Sequence, residues 1–169
     1  MGCRHAQTLV HLFVLGSPLV DAEGRQVFFL MSSTPPRAHR LPRTLRAMDN
    51  QTLRPARVVL TIPHEYERFP AQVYRVPDTR LSALLEVHRI PWDAGPLCKY
   101  FGVTRIADDD ALVVVGDDDV DYAPTFVEDL VVALESHPRG TAVVASQLDD
   151  KFGRLSPGVM AYGGVACYA

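Results

Sequence analysis

Residues Ala111-Leu-Val-Val-Val-Gly-Asp-Asp-Asp-Val120 join an apolar run to three consecutive carboxylates, Asp117, Asp118 and Asp119. A short Ala/Leu/Val run closed by glycine predicts a strand buried on both faces, as in a parallel sheet. In open α/β sheets the ligand crevice lies beyond the carboxyl ends of the strands, which is where these acids stand. A second acidic triplet, Asp108 to Asp110, precedes the same run. The intervening residues span roughly 20 Å if extended, so the two triplets belong to opposite edges of a sheet and cannot share one ion. We read Asp108–Asp110 as a solvated loop. Two carboxylates about 4 Å apart repel by about 1 kcal/mol in water and about 4 kcal/mol near a protein surface. A turn needs only one Asp, so the excess at 117–119 points to a cation. Hard oxygen ligands favour Mg²⁺, Mn²⁺ or Ca²⁺ over zinc. A solvated turn is the plainer alternative.

The chain has 169 residues, 47% hydrophobic and 22% charged, enough for one domain with a real core. Its net charge of −3 argues against nucleic acid as the partner. Cys3, Cys98 and Cys167 are scattered, with neither zinc-ligand spacing nor a disulfide framework. No apolar run reaches the ~18 residues of a membrane-spanning helix. Leu9 to Val20 is apolar but short and holds His11, Gly16, Ser17 and Pro18. With Arg4 ahead of it, this stretch has features of a secretory signal peptide. We take residues 1–24 as a leader or poorly ordered segment, leaving the cytoplasm and the secretory lumen both open.

Upstream of the acids, Gln26 to Ser32 predicts the first strand, and Pro35-Pro36 turns the chain after it. Ser33, Thr34 and Arg37 at that strand end suit a nucleotide contact; an ordinary loop with a capping Thr fits them equally. Leu41, Leu45 and Met48 stand at helical spacing, with Arg40, Arg43 and Arg46 off the stripe. Arg57 to Ile62 predicts the next strand, which completes a right-handed parallel βαβ unit. Residues 63–78 read as a long loop or irregular short helix, with His64 and Glu65 on the surface. Leu84 to Ile90 predicts a third strand. Asp93 can cap a helix opening near Gly95-Pro96 and interrupted by Gly102. A helix start beside a strand end is an anion site, and Lys99 adds a positive charge one turn in. A capped helix with a surface lysine is the alternative. After the acids, Phe126, Val127, Leu130, Val131 and Leu134 form the clearest helical stripe. Thr141 to Ser146 predicts the last buried strand, and Val159 to Tyr168 a strand or flap.

Several stretches together resemble the nucleotide-binding half of GT-A glycosyltransferases of the family-2-like kind. They are Met31-Ser-Ser-Thr-Pro-Pro-Arg37, Asn50-Gln-Thr-Leu-Arg-Pro-Ala-Arg-Val-Val-Leu-Thr-Ile-Pro63, Arg89-Ile-Pro-Trp-Asp-Ala-Gly-Pro-Leu-Cys-Lys99, Asp117-Asp-Asp119 and Tyr162-Gly-Gly-Val-Ala-Cys-Tyr168. The third is similar to a D-x-G-P-x-x-K element and the fourth to the D-x-D metal motif. The resemblance covers about Gln26 to Tyr168. It implies a doubly wound, mostly parallel sheet with helices on both faces, spanning residues 25–169 with the acceptor part incomplete. It implies metal-dependent transfer of a sugar from a nucleoside-diphosphate donor to a glycan or other hydroxyl acceptor. Asp119 would ligate Mn²⁺ or Mg²⁺, and Asp117 would face the ribose or the metal shell. Asp118 would set the turn or a contact behind the metal. Ser33, Thr34 and Arg37 would lie near the nucleoside, and Asp93, Gly95 and Lys99 would border base, ribose and diphosphate. An inverting member needs a further carboxylate as base. No Asp or Glu follows Asp150, so a fragment that binds donor but transfers poorly is the companion expectation, and no catalytic base is named.

A sugar nucleotidyltransferase is a rival, but it would place a glycine-rich basic loop where Ser-Ser-Thr-Pro-Pro-Arg stands. A phospho-receiver module is another, but it would draw its acids from the first and third strands. Each departure counts against its rival, and the nucleotidyltransferase stays as the alternative.

Overall fold

The computed structural model describes residues 21–22, 24–78, 83–107, 110–135, 142–144 and 160–162. Its centre is a four-stranded, all-parallel sheet of β1 (Val27–Ser32), β2 (Arg57–Pro63), β3 (Leu85–Ile90) and β4 (Leu112–Val115). The strand order is β3-β2-β1-β4. Phe29 stands opposite Val58 on one side and Val114 on the other, so these three share a face.

Alternation along the strands divides the apolar residues between the two faces. Val27, Phe29 and Met31 of β1 join Val58, Leu60 and Ile62 of β2 and Val114 of β4 on one face. Leu41, Leu45 and Met48 of α1 (Leu41–Asp49) complete that core with Phe126, Val127 and Val131 of α2 (Phe126–Glu135). The α1 stripe read from the sequence is buried; of the α2 stripe, Phe126, Val127 and Val131 are buried and Leu130 and Leu134 half-buried. Arg40, Arg43 and Arg46 lie on the solvent side of α1, as the spacing requires. A 3₁₀ turn, Pro35–Arg40, carries the chain from β1 into α1. Thr34 stands at its start but makes no side-chain cap bond, so the capping role open to it in the sequence is not used. Pro35 supplies the start instead, since its fixed φ suits a first helical turn.

On the opposite face Leu30, Val59 and Thr61 meet a second 3₁₀ segment, Gly95–Arg105. Handedness explains this placement. From β1 to β2 to β3 the chain advances in one direction, but from β3 to β4 it returns across the sheet. A right-handed crossover in the return direction must pass over the other face. Gly102 does not interrupt this segment; it lets the segment touch the sheet. A Cβ there would lie 3.1 Å from Leu30 and from the Thr61 hydroxyl. The helix expected from the sequence is present, wound as a 3₁₀ segment that runs on through Gly102.

Two other expectations change. β4 is an edge strand among the described residues, and Val113 is 42% exposed, so it is not buried on both faces. An apolar run alone cannot tell an edge strand from a central one. The segment within Thr141–Ser146 forms β5 (Ala142–Val144), but it pairs antiparallel with β6 (Met160–Tyr162) rather than joining the parallel sheet. β6 falls inside the predicted strand or flap. The leader up to residue 20, Asp108, Asp109, Asp149, Asp150 and the rest of the Tyr162–Tyr168 motif lie outside the described residues. Among the described residues no helix is long and apolar enough to cross a membrane.

Candidate functional site

The strand order reverses between β1 and β4. In parallel sheets the crevice for ligands opens beyond the carboxyl ends at such a point, because the two crossovers leave on opposite faces. Ser33 follows β1, and Asp117–Asp119 follow β4, so both stand at that gap.

The turn is built tightly. Gly116 has no room for a side chain: a Cβ would lie 2.4 Å from the Phe29 ring and 2.5 Å from the Tyr122 hydroxyl. That hydroxyl donates to the Asp117 carbonyl and accepts from the Asp117 amide, each at 2.7 Å. Thr44 of α1 donates to the Asp118 carbonyl at 3.2 Å. Gln51 holds the following loop. Its amide nitrogen donates to the Ala47 and Ala123 carbonyls, and its carbonyl accepts from the Val127 amide at 2.9 Å, capping α2. Thr52 adds a bond to Glu128 at 2.6 Å.

Each carboxylate of the triplet meets a different environment. Asp118 is 1% exposed; it accepts from the Ser33 hydroxyl at 2.5 Å and lies 3.1 Å from an Arg37 guanidinium nitrogen. Burial raises its carboxyl above the ordinary range, with Ser33 and Arg37 opposing and the charge of Asp119 adding. Asp119 accepts from Arg37 at 2.9 Å. Asp117 accepts from Lys99 at 2.5 Å. The positive charges that relieve the repulsion expected from the sequence therefore include two of the chain's own side chains.

The other wall comes from the loop after β2 and the start of the Gly95–Arg105 segment. The open cleft is lined by Ser33, Thr34, Arg37, Phe69, Asp93 and Gly95, among others. Asp93 accepts from the Gly95 amide at 2.8 Å and from the Glu67 amide at 2.9 Å, pinning the two loops together. Gly95 has φ +59°, a left-handed conformation that favours glycine. Tyr66 donates to the Ser33 carbonyl at 2.9 Å and stacks on Tyr74, with ring centroids 6.3 Å apart. Burial pushes the Tyr74 hydroxyl up to about 12, with the charge of Asp118 adding and the neighbouring Ser33 hydroxyl opposing. Burial also raises the thiol of Cys98, which lines this cleft.

The structure thus brings Ser33, Arg37, Lys99 and the three aspartates into direct contact, with Thr34, Asp93 and Gly95 on the adjoining cleft. Tyr122, Thr44, Gln51, Tyr66 and Tyr74 received no site role from the sequence. Gln51 lay inside a quoted motif, and its buried amide could have been suspected; the tyrosines carry no spacing signal. Among the described residues no three His, Cys, Asp or Glu side chains converge where an ion could sit. No protein-family model matches the chain, and no curated protein matches it.

Proposed function

We propose that this chain binds a nucleoside-diphosphate sugar, with uridine or guanosine as the nucleoside, and passes the sugar to an acceptor hydroxyl with the help of Mn²⁺ or Mg²⁺. The observation that supports this most is the Lys99–Asp117 ion pair. It joins the D-x-G-P-x-x-K element to the acidic turn at the point where the strand order reverses.

The donor set suits a hard cation. Asp117 and Asp119 are exposed, and each uses one carboxylate oxygen for its basic partner; no described side chain bonds Asp117 Oδ2 or Asp119 Oδ1. Two protein oxygens are few, but Mg²⁺ is commonly held by one or two carboxylates, with water and phosphate completing its shell. When bound, the ion neutralises charge on the departing diphosphate. Arg37 and Lys99 bring positive charge to the same region, while Ser33 and Thr34 offer hydroxyls to the nucleoside. Asp118 is buried and holds Ser33 and Arg37 in place.

Titration calorimetry with UDP, GDP, CDP and ADP, each with Mn²⁺ or EDTA, tests the reading. Metal-dependent binding of UDP or GDP is expected, weakened at least tenfold in Asp119→Ala. Equal binding in EDTA, or no binding of any of the four, refutes it.

A further inference from the structure

The triplet carries a formal charge of −3, and Arg37 and Lys99 place +2 directly on it. Lys99 is only 13% exposed at its side chain, yet its ammonium reaches Asp117, the most exposed of the three carboxylates. Arg37 spans Asp118 and Asp119, and it does so imperfectly. Asp118 Oδ1 is buried and within ion-pair distance of the guanidinium but has no hydrogen bond, and Arg37 Nε is buried without a partner. The arrangement offsets two of the three negative charges and leaves Asp117 Oδ2 and Asp119 Oδ1, on exposed side chains, without a described side-chain partner.

We infer that Lys99 and Arg37 are exchangeable counter-ions of the acidic turn, handed over to the diphosphate when a divalent cation takes Asp117 and Asp119. This rests on the donor-binding reading above. A cation arriving alone sets its +2 beside the two basic groups, and a diphosphate arriving alone sets its charge beside three carboxylates. Each is opposed by like charge; together they are not. Cation and diphosphate therefore bind with positive coupling, and by linkage each tightens the other by the same factor. The coupling has a specific signature in Lys99: removing its charge must help the cation bind alone while hindering the diphosphate. A residue that merely supports the fold would weaken both.

The test uses the whole chain. Binding of Mn²⁺ alone is followed by the electron paramagnetic resonance signal of the free ion, and UDP binding in Mn²⁺ by calorimetry. For Lys99→Met we expect Mn²⁺ to bind about tenfold more tightly and UDP about tenfold more weakly than in the wild type, the scale of one nearby unit charge. Lys99→Arg keeps the charge and should match the wild type for Mn²⁺ alone. Arg37→Gln should repeat the crossed pattern, and circular dichroism verifies the fold of each variant. Mn²⁺ binding that is unchanged or weaker in folded Lys99→Met overturns the inference. The unmodified protein supplies an independent measurement: saturating UDP should tighten Mn²⁺ at least tenfold, and a change below twofold with UDP bound overturns the exchange. If UDP does not bind at all, the donor reading fails, while Mn²⁺ binding to Lys99→Met still decides whether Lys99 guards the turn.

Discussion

Replacing Gly116 by alanine tests how rigidly the acidic turn is built. The new methyl would sit 2.4 Å and 2.8 Å from two atoms of the Phe29 ring and 2.5 Å from the Tyr122 hydroxyl. Carbon atoms in proteins rest at about 3.5–4.0 Å, so something must move by about 1 Å. Phe29 has nowhere to go: it is fully buried, and its ring already meets Tyr122 edge-on with centroids 5.4 Å apart. Overpacking of this kind costs about 1–3 kcal/mol. Displacing Tyr122 also strains its two bonds to the Asp117 backbone, each contributing about 0.5–1.5 kcal/mol. Together these come to about 2–4 kcal/mol, or roughly 5–15 °C in melting temperature for a chain of this length. Thermal and urea unfolding followed by circular dichroism would read the change. Gly95→Ala is the comparison: nothing lies within 4 Å of its new methyl, and the loss there, about 1–2 kcal/mol, comes from the left-handed backbone alone. A Gly116→Ala protein that melts within 2 °C of the wild type would show that the turn is not packed as described.

Gln51→Ala removes three hydrogen bonds and leaves the Val127 amide at the start of α2 without its acceptor, so urea unfolding should show a loss of about 2–3 kcal/mol; less than 0.5 kcal/mol would count against the clamp. Asp118 gives a pH test, because burial lifts its carboxyl above the unfolded value of about 3.9 and the native state keeps the proton to higher pH. The penalty for ionising it is absent below that unfolded value and complete once the pH exceeds the native one. The wild type should therefore lose stability relative to Asp118→Asn as pH rises above about 4, and urea midpoints showing a constant or opposite difference would contradict the burial argument.

Much of this arrangement could be read from the residues. Leu41, Leu45 and Met48 announced the buried side of α1, and the two prolines after Ser33 announced the turn out of β1. The acids fell at the ligand edge because Ala111–Val115 could be recognised as a strand with a direction. What the sequence left open was lateral position. Nothing in Leu112–Val115 states that its neighbour is Val27–Leu30, or that no other described strand pairs with it; that follows from where the return crossover lands. Nor could repulsion among Asp117, Asp118 and Asp119 distinguish a metal from Arg37 and Lys99, since those residues lie 82 and 18 positions from their partners and meet them only once the sheet is assembled. Tyr122 escaped notice because a tyrosine bonded to backbone leaves no periodic trace.

The position of β1 also has a consequence for how the molecule is made. β2 can pair with it soon after emerging, but its other neighbour, β4, begins 80 residues after β1 ends. At a synthesis rate of about 5–20 residues per second that interval lasts roughly 4–16 s. Throughout it, the uncharged segment Val27–Met31 presents a row of unpaired amides and carbonyls to the cell, the kind of edge that recruits foreign strands. Slowing translation before Leu112 should lengthen that exposure and raise the insoluble fraction, whereas slowing it after Val115 should not.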